Sequence, residues 1–418
     1  MKRKLVACEI GPNYQLEDGV IALKLLVLLP IYHIFKKQIH QDKIIKNIFS
    51  DSSYIQFVDS GRTAMTLLLR SLSLDKESEV IIQGFSCVVV PNSVLQSNLV
   101  PILCDINETD YNLDLVDAEK KITNKTRVLI VQYSFGIIPK MNKVVEFCKK
   151  YNLILIEDCA HIFSHPILIN GKEKQVGSLG YGSVLSFGRD KVVSSTIGGA
   201  VILNDSSKLY KTRLHEEYQN LPKISILREY QSLIYCILCV FLIRPFYHYG
   251  LGKLALFIFR KLHFIGGIYS IKEKKVTSEI VNHSKYSATL SILLQNQLKK
   301  ISIYKAHRDN ISKIYANELD LPVTNYNYLR FPVCVPSSAY SNIKSILRQN
   351  HILVGTWYNS IFIPADADLS KLSYNLGDLP ICEKLVSNRV LNLPTNIHVT
   401  EKDAKKIASI IKPFLISK

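Results

Sequence analysis

At 418 residues the chain can bury a full core, and it is expected to form a large and a smaller domain. Hydrophobic residues make up 47% and charged residues 21%, ordinary proportions for a folded protein that exclude extensive disorder away from the ends. The formal net charge is +17, from 52 basic and 35 acidic residues, which favours nucleic acid, anionic lipid or phosphorylated ligands. No zinc-finger spacing, RNP-like motif or compact basic block accompanies that charge, so no nucleic-acid partner is expected.

The basic opening Met1-Lys2-Arg3-Lys4 precedes an apolar stretch too short for a signal-peptide core. Residues 1–50 read as an arm with one apolar segment, Ile21 to Phe35, interrupted by Lys24, Pro30 and His33. Residues 51–228 read as the large domain. In it, apolar runs such as Val80–Ile82, Val128–Val131, Leu153–Ile156, Val184–Phe187 and Ala200–Leu203 alternate with helical stretches at Thr63–Ser73, Val90–Ser97 and Met141–Tyr151. That alternation predicts an α/β fold whose mostly parallel sheet is covered by helices on both faces.

Residues 229–267 form an apolar insertion. It reads as two short helices broken at Pro245, because Leu233–Ile243 is an uninterrupted apolar run. As a helix that run is about 16 Å long, too short to span a bilayer. No run of about 18 apolar residues exists, so a simple transmembrane helix is not indicated. Residues 268–418 read as a linker and a smaller C-terminal α+β domain, with one long helix from Ser287 to about Ala316. The nine cysteines follow no repeating interval. Cys236 and Cys239 sit in an apolar context that suits buried thiols better than a metal site, and unpaired cysteines suit a reducing cytosol. No metal site is expected.

Three segments place polar residues where a strand hands over to the next element, the usual ligand edge of such a sheet. Asp59-Ser60-Gly61-Arg62-Thr63-Ala64 follows a strand and opens a helix, whose free N–H groups suit a phosphate. Glu157-Asp158-Cys159-Ala160-His161 ends another strand. A buried Asp there needs a cation or donors, and a protonated pyridine nitrogen is one such partner. Ser186-Phe187-Gly188-Arg189-Asp190-Lys191 supplies an amine 33 residues after Asp158 and five after Ser186. A phosphate-type loop, a strand-end Asp, a Ser and a Lys, in that order, suit imine chemistry.

These motifs resemble the DegT/DnrJ/EryC1/StrS family of sugar aminotransferases, over nearly the whole chain. Ser60-Gly61-Arg62-Thr63-Ala64 is similar to that family's Ser-Gly-Thr-Ala opening. Phe85-Ser86 is similar to its aromatic-Thr segment, and Asp105-Ile106-Asn107 to Tyr111-Asn112 to its Asp-Ile-Asp segment. Glu157 to His161 is similar to its Glu-Asp-Ala-Ala-Gln, Ser186 to Lys191 to its Ser-Phe-x-x-x-Lys, and Leu391 to Thr395 to its closing Leu-x-Leu-Pro.

The resemblance implies fold type I and a pyridoxal 5'-phosphate cofactor. It implies Lys191 as the Schiff-base and catalytic lysine and Asp158 on the pyridinium nitrogen. His161 would lie by the phenolic oxygen, Phe85 on the ring face, and Gly61, Arg62, Thr63 and Ser186 on the phosphate. It further implies a homodimer that transfers an amino group, from glutamate, to a keto sugar carried by a nucleotide, in amino-sugar or surface-polysaccharide synthesis. A dehydratase or lyase of the same fold, or a non-catalytic binding protein, would be the alternatives.

The sequence departs from the family in three places. Arg62 replaces a Thr, His283-Ser284-Lys285 stands for Asn-Tyr-Arg, and the apolar 229–267 segment has no counterpart in typical relatives. That segment leads to an expectation of a cytoplasmic protein with peripheral contact at the inner membrane face, and of a lipid-linked sugar as an alternative substrate.

Overall fold

In the computed structural model, which describes residues 5–35, 49, 54–205, 207–322, 328–387 and 389–415, the chain opens on β1 (Val6–Ala7) and α1 (Leu16–Phe35). The rest of the N-terminal arm, residues 36–48 and 50, lies outside the described residues. Pro30 sits within α1 rather than ending it.

The apolar runs form the strands expected of them. After β2 (Tyr54–Val58), α2 (Gly61–Ser71) leads to β3 (Glu79–Gln83) and the short β4 (Ser86–Cys87). Then come β5 (Val100–Cys104), β6 (Thr126–Gln132) and β7 (Ile154–Asp158), a β8–β9 hairpin (Pro166–Ile169, Lys172–Gln175), β10 (Gly182–Ser186) and β11 (Gly199–Leu203). Seven strands form one sheet in the order β2-β11-β10-β7-β6-β3-β5. Only β11 runs against the others, pairing antiparallel with β10 and β2. Val80, Ile81 and Ile82 are all buried, which shows that both sheet faces are covered and explains the continuous apolar runs.

The apolar insertion departs from its sequence reading. α3 (Ile226–Leu238) continues past Pro245 through a π turn at Cys239–Ile243 and short turns to Tyr249. Proline lacks an N–H and crowds the carbonyl four residues back, and a widened turn just before it absorbs both defects. The break comes at Gly250, whose φ of +82° is the left-handed conformation glycine adopts readily. α4 (Leu251–Lys261) follows.

The Ile226–Tyr249 run of 24 residues is long and apolar enough to cross a membrane by length and composition, yet 44% of an 18-residue apolar window within it is buried inside the protein. Leu233, Cys236 and Ile243 pack with Tyr14, Ala22 and Leu25 of the N-terminal segment. The long helix expected from Ser287 is two helices, Ala288–Lys299 and Ile301–Leu319, joined at Lys300 where the backbone leaves helical geometry.

In the C-terminal part, β12 (Arg330–Cys334) pairs antiparallel with β15 (Val390–Pro394). Two short strands tie this part to the rest. β13 (Ile352–Leu353) pairs with β1, and β14 (Phe362–Ile363) pairs with β4. Val6 and Ala7 are therefore sewn to the C-terminal part.

Candidate active site

Sheet register gathers the three motifs. Ser186 lies beside Gly199, and Gly199 beside Val58. On the other side, Val184 lies beside Asp158 and Asp158 beside Gln132. The ends of β2, β7 and β10 thus meet along one edge, the carboxyl edge where open α/β sheets bind ligands. Asp59, Gly61, Arg62, Asp158, His161, Ser186 and Lys191 line one pocket there.

Asp158 is 6% exposed and accepts the Ala160 N–H at 3.0 Å. Burial raises its pKa, while that N–H and the Lys191 charge lower it. A buried carboxylate met by this one N–H among the described residues calls for a cation. Burial lowers the Lys191 pKa, opposed chiefly by Cys87 and Asp158, which favours the neutral amine a nucleophile needs. The lysine Nζ lies 4.8 Å from the Trp357 ring centre. Its backbone is clamped from below: Asn13 Nδ2 donates to the Lys191 carbonyl at 2.5 Å and to the Val192 carbonyl at 3.1 Å. The Tyr14 hydroxyl meets Ser194 Oγ at 3.0 Å and Thr196 Oγ1 at 2.6 Å, fixing the loop that follows.

His161 is held neutral. Burial pushes its pKa well below the usual range, and its Nδ1 accepts the Phe135 N–H at 3.3 Å. The ring stacks on Trp357 at 4.7 Å, with Tyr358 Oη 3.5 Å from Nε2.

A cradle forms where α2 begins. A Cβ on Gly61 would stand 3.1 Å from Ser186 Cβ, and one on Gly199 only 2.5 Å from the Ser60 carbonyl carbon. Glycine at both positions lets the two segments touch and keeps the helix N-terminus open toward Ser186. These residues fit pyridoxal phosphate: an amine, a buried carboxylate for a ring N–H, and N–H and hydroxyl donors for a phosphate.

Two sequence assignments change, and a third is qualified. Thr63 does not line the pocket; its hydroxyl donates to Asp59 Oδ1 at 2.6 Å and its N–H to Ser60 Oγ, so it serves as part of the helix cap. Phe85 is fully buried between Tyr111, Phe135 and Tyr358, outside the pocket. Cys87, two residues on, lines the pocket instead. The first shift is local, since the helix cap claims the Thr63 donors; the second is tertiary, since an aromatic cluster claims Phe85. Arg62 does line the pocket, but its guanidinium pairs with Glu273 and donates to the Ile268 carbonyl at 2.9 Å.

The sequence reading missed several lining residues. Arg228 pairs with the fully buried Asp59 and donates to the Asn282 carbonyl at 2.9 Å. Gly266, Gly267, Ile268 and Tyr269 come from beyond α4, and Trp357 and Tyr358 from the C-terminal part. Trp357 is the sole tryptophan in the chain, a faint signal. The others carry no local mark, since their role depends on how distant segments pack. His283 does not line the pocket; it lies behind it, near Asp59 and Arg228.

The sequence pattern of the DegT/DnrJ/EryC1/StrS aminotransferase family matches residues 48–221. Over 179 residues the chain is 32% identical to a GDP-perosamine synthase of Escherichia coli O157:H7, which covers 42% of this chain and 48% of that protein. Over 182 residues it is 30% identical to a dTDP-3-amino-3,6-dideoxy-alpha-D-galactopyranose transaminase of Aneurinibacillus thermoaerophilus, covering 42% and 49%. The matched chain thus spans about half the length of these curated relatives.

Solved structures agree in fold across nearly the whole chain. Helicobacter pylori PseC, an aminotransferase of pseudoaminic acid biosynthesis, superimposes with a TM-score of 0.67 at 18% identity, over 97% of this chain and 99% of that one. NtdA of Bacillus subtilis, solved with bound PMP, gives 0.67 at 16% identity over 98% and 86%. Residues 48–221, the segment that holds Asp158, Ser186 and Lys191, are thus similar to the DegT/DnrJ/EryC1/StrS aminotransferase family, and the likeness of fold to solved aminotransferases runs along nearly the whole chain.

Proposed function

We propose that the chain is a pyridoxal-phosphate-dependent aminotransferase that moves an amino group from glutamate to a keto sugar carried by a nucleotide, in amino-sugar biosynthesis. The observation that carries this reading is the presence of Lys191 and the buried Asp158 in one pocket, beside the Gly61–Ser186 cradle. The two curated relatives named above are a GDP-perosamine synthase and a dTDP-amino-sugar transaminase, which supports the nucleotide-linked substrate class.

When bound, the cofactor supplies an electron sink for the carbon that loses or gains nitrogen. The residues of the chain do the rest. Lys191 would hold the cofactor through Nζ. Freed during turnover, its amine would take and return the proton at the substrate carbon that receives nitrogen. Asp158 would face the ring N–H and keep it protonated. Ser186 Oγ and the α2 N-terminus at Gly61 and Arg62 would hold the phosphate. Neutral His161, whose Nδ1 accepts the Phe135 N–H, would offer its Nε2 side to a ring oxygen. Arg228 neutralises Asp59 directly beneath the cradle, so that the buried carboxylate does not repel the phosphate.

We further propose a cytoplasmic homodimer. A second reading, a sugar carried on a lipid, is favoured by one feature: the pocket wall at Gly266–Tyr269 continues directly from the apolar insertion.

The test is an absorption spectrum of the purified protein. With pyridoxal phosphate it should turn yellow, bleach on adding glutamate, and recover colour on adding a GDP- or dTDP-linked keto sugar. A protein that never gains visible absorbance and transfers no nitrogen overturns the proposal. Recovery with polyprenyl-linked sugar alone selects the second reading.

A further inference from the structure

Exposed large apolar side chains on the described residues are mostly single and scattered, except in two places, α1 and residues 226–271. The outer face of α1 carries Leu16, Val20, Leu23, Val27 and Ile31, one straight stripe at helical spacing, with Val27 70% exposed. Its inner face, with Ala22, Leu25 and Leu29, is already buried. A helix apolar on both sides is ordinarily covered all round. The outer face of α4 carries Leu251, Leu254, Phe257, Ile258 and Leu262, with Phe257 64% exposed, while Gly252 and Ala255 face inward.

The two faces are joined. Gly19 of α1 packs so closely on Val240 and Phe241 that a Cβ there would stand 2.8 Å from both. A groove of about 700 Å³ between them is lined by Leu16, Val240, Phe246, Tyr249 and Leu251. Continuous apolar surface on this scale marks an interaction site.

We infer that α1 and α4 together seat the protein in the plane of an anionic lipid bilayer, with their outer faces in the headgroup–acyl boundary. Charge argues for that occupant. Lys24 lies on α1, and Lys253, Arg260 and Lys261 on α4, all exposed. The only acids of the two helices, Glu17 and Asp18, are both engaged by Lys300, at 2.6 and 3.7 Å. A two-fold contact between copies would press together two faces that each carry a net positive charge. Anionic headgroups pair with them instead. Phe246, Tyr249, Phe257 and Phe264 are the kind of side chain that settles at that boundary. The long run through α3 lies along the protein rather than across the bilayer, because Arg244 within it is buried and donates to the Leu5 and Ile10 carbonyls at 3.3 and 3.0 Å. This inference does not depend on which sugar the pocket accepts.

The experiment is flotation of the full chain with phosphatidylcholine vesicles, with and without phosphatidylglycerol, at low and high salt. The protein should float with the anionic vesicles, less so at high salt or without phosphatidylglycerol. Leu254→Glu with Phe257→Glu should lower the bound fraction about tenfold or more, with the thermal midpoint unchanged. A second variant, Lys253→Gln with Arg260→Gln and Lys261→Gln, should remove the preference for anionic vesicles about as strongly, and it keeps the inference testable if the glutamates impair folding. No flotation of the wild type overturns the inference, as does equal flotation of both variants. A glutamate variant that becomes monomeric in buffer yet floats normally overturns it too, and makes the face a contact between copies.

Discussion

Lys191 gains its meaning from its surroundings. Alone it is one of many basic side chains. Here burial lowers its pKa, Asn13 anchors its carbonyl and Asp158 shares its pocket. Lys191→Ala should therefore abolish the visible absorbance seen with pyridoxal phosphate and remove at least about a hundredfold of transfer activity, read in the spectrum and by product formation. Asp158→Asn keeps the shape but loses the charge. It should retain the colour yet lower kcat about a hundredfold, the effect of losing a charge-assisted contact of about 3 kcal/mol. At this scale the sequence alone singles out Gly61, Asp158, His161, Ser186 and Lys191, which the fold brings to one pocket, because each sits at or within five residues of a strand end or a helix start. Phe85 lies elsewhere than expected: it precedes the short strand with a φ of +61°, and packing against Tyr111 and Phe135 holds its ring in an aromatic cluster while Cys87 lines the pocket.

At the scale of elements, two contacts hold the site together. The first is the close approach of β11 to the cap of α2. Gly199→Ala would drive a Cβ into the Ser60 backbone, which has no rotamer to yield, so it should destabilise the protein by about 3 kcal/mol and weaken phosphate binding. A urea titration with and without cofactor measures both effects. The second is the N-terminal clamp. Tyr14→Phe leaves the Ser194 and Thr196 hydroxyls short of a partner and should cost about 1–2 kcal/mol. Because it loosens the Lys191 loop, it should also slow cofactor capture in stopped-flow measurements. Strand and helix positions were largely readable from periodicity. The end of α3 was not, since a π turn lets the helix run past Pro245 to Gly250 and no local pattern signals that turn.

At the scale of the whole molecule, buried ionisable groups make stability depend on pH. His283 is 6% exposed and burial brings its pKa down to about 4, as burial does for His165. The unfolded chain binds those protons more readily, so their contribution is complete above about pH 6.5 and is lost as pH falls through 4. Asp190 acts in the opposite direction: burial raises its pKa to about 6, so its contribution is lost as pH rises from about 4 through 6. The histidines should prevail in acid. Stability should fall by about 1–3 kcal/mol between pH 7 and 4.5, and His283→Gln should flatten that fall, as urea midpoints at the two pH values would show.

The sequence by itself determined the sheet, the order of its strands along the chain and the motif residues, because periodicity and strand-end chemistry are local properties. Tertiary structure decided the rest. Sheet register brought Ser186, Gly199 and Val58 side by side across the chain. Long-range packing placed Arg228, Tyr269 and Trp357 at the pocket and drew Phe85 into an aromatic cluster outside it. It also left the outer faces of α1 and α4 uncovered among the described residues. Which side of an apolar helix meets protein depends on its neighbours, and neighbours distant in sequence are known only once the chain has folded.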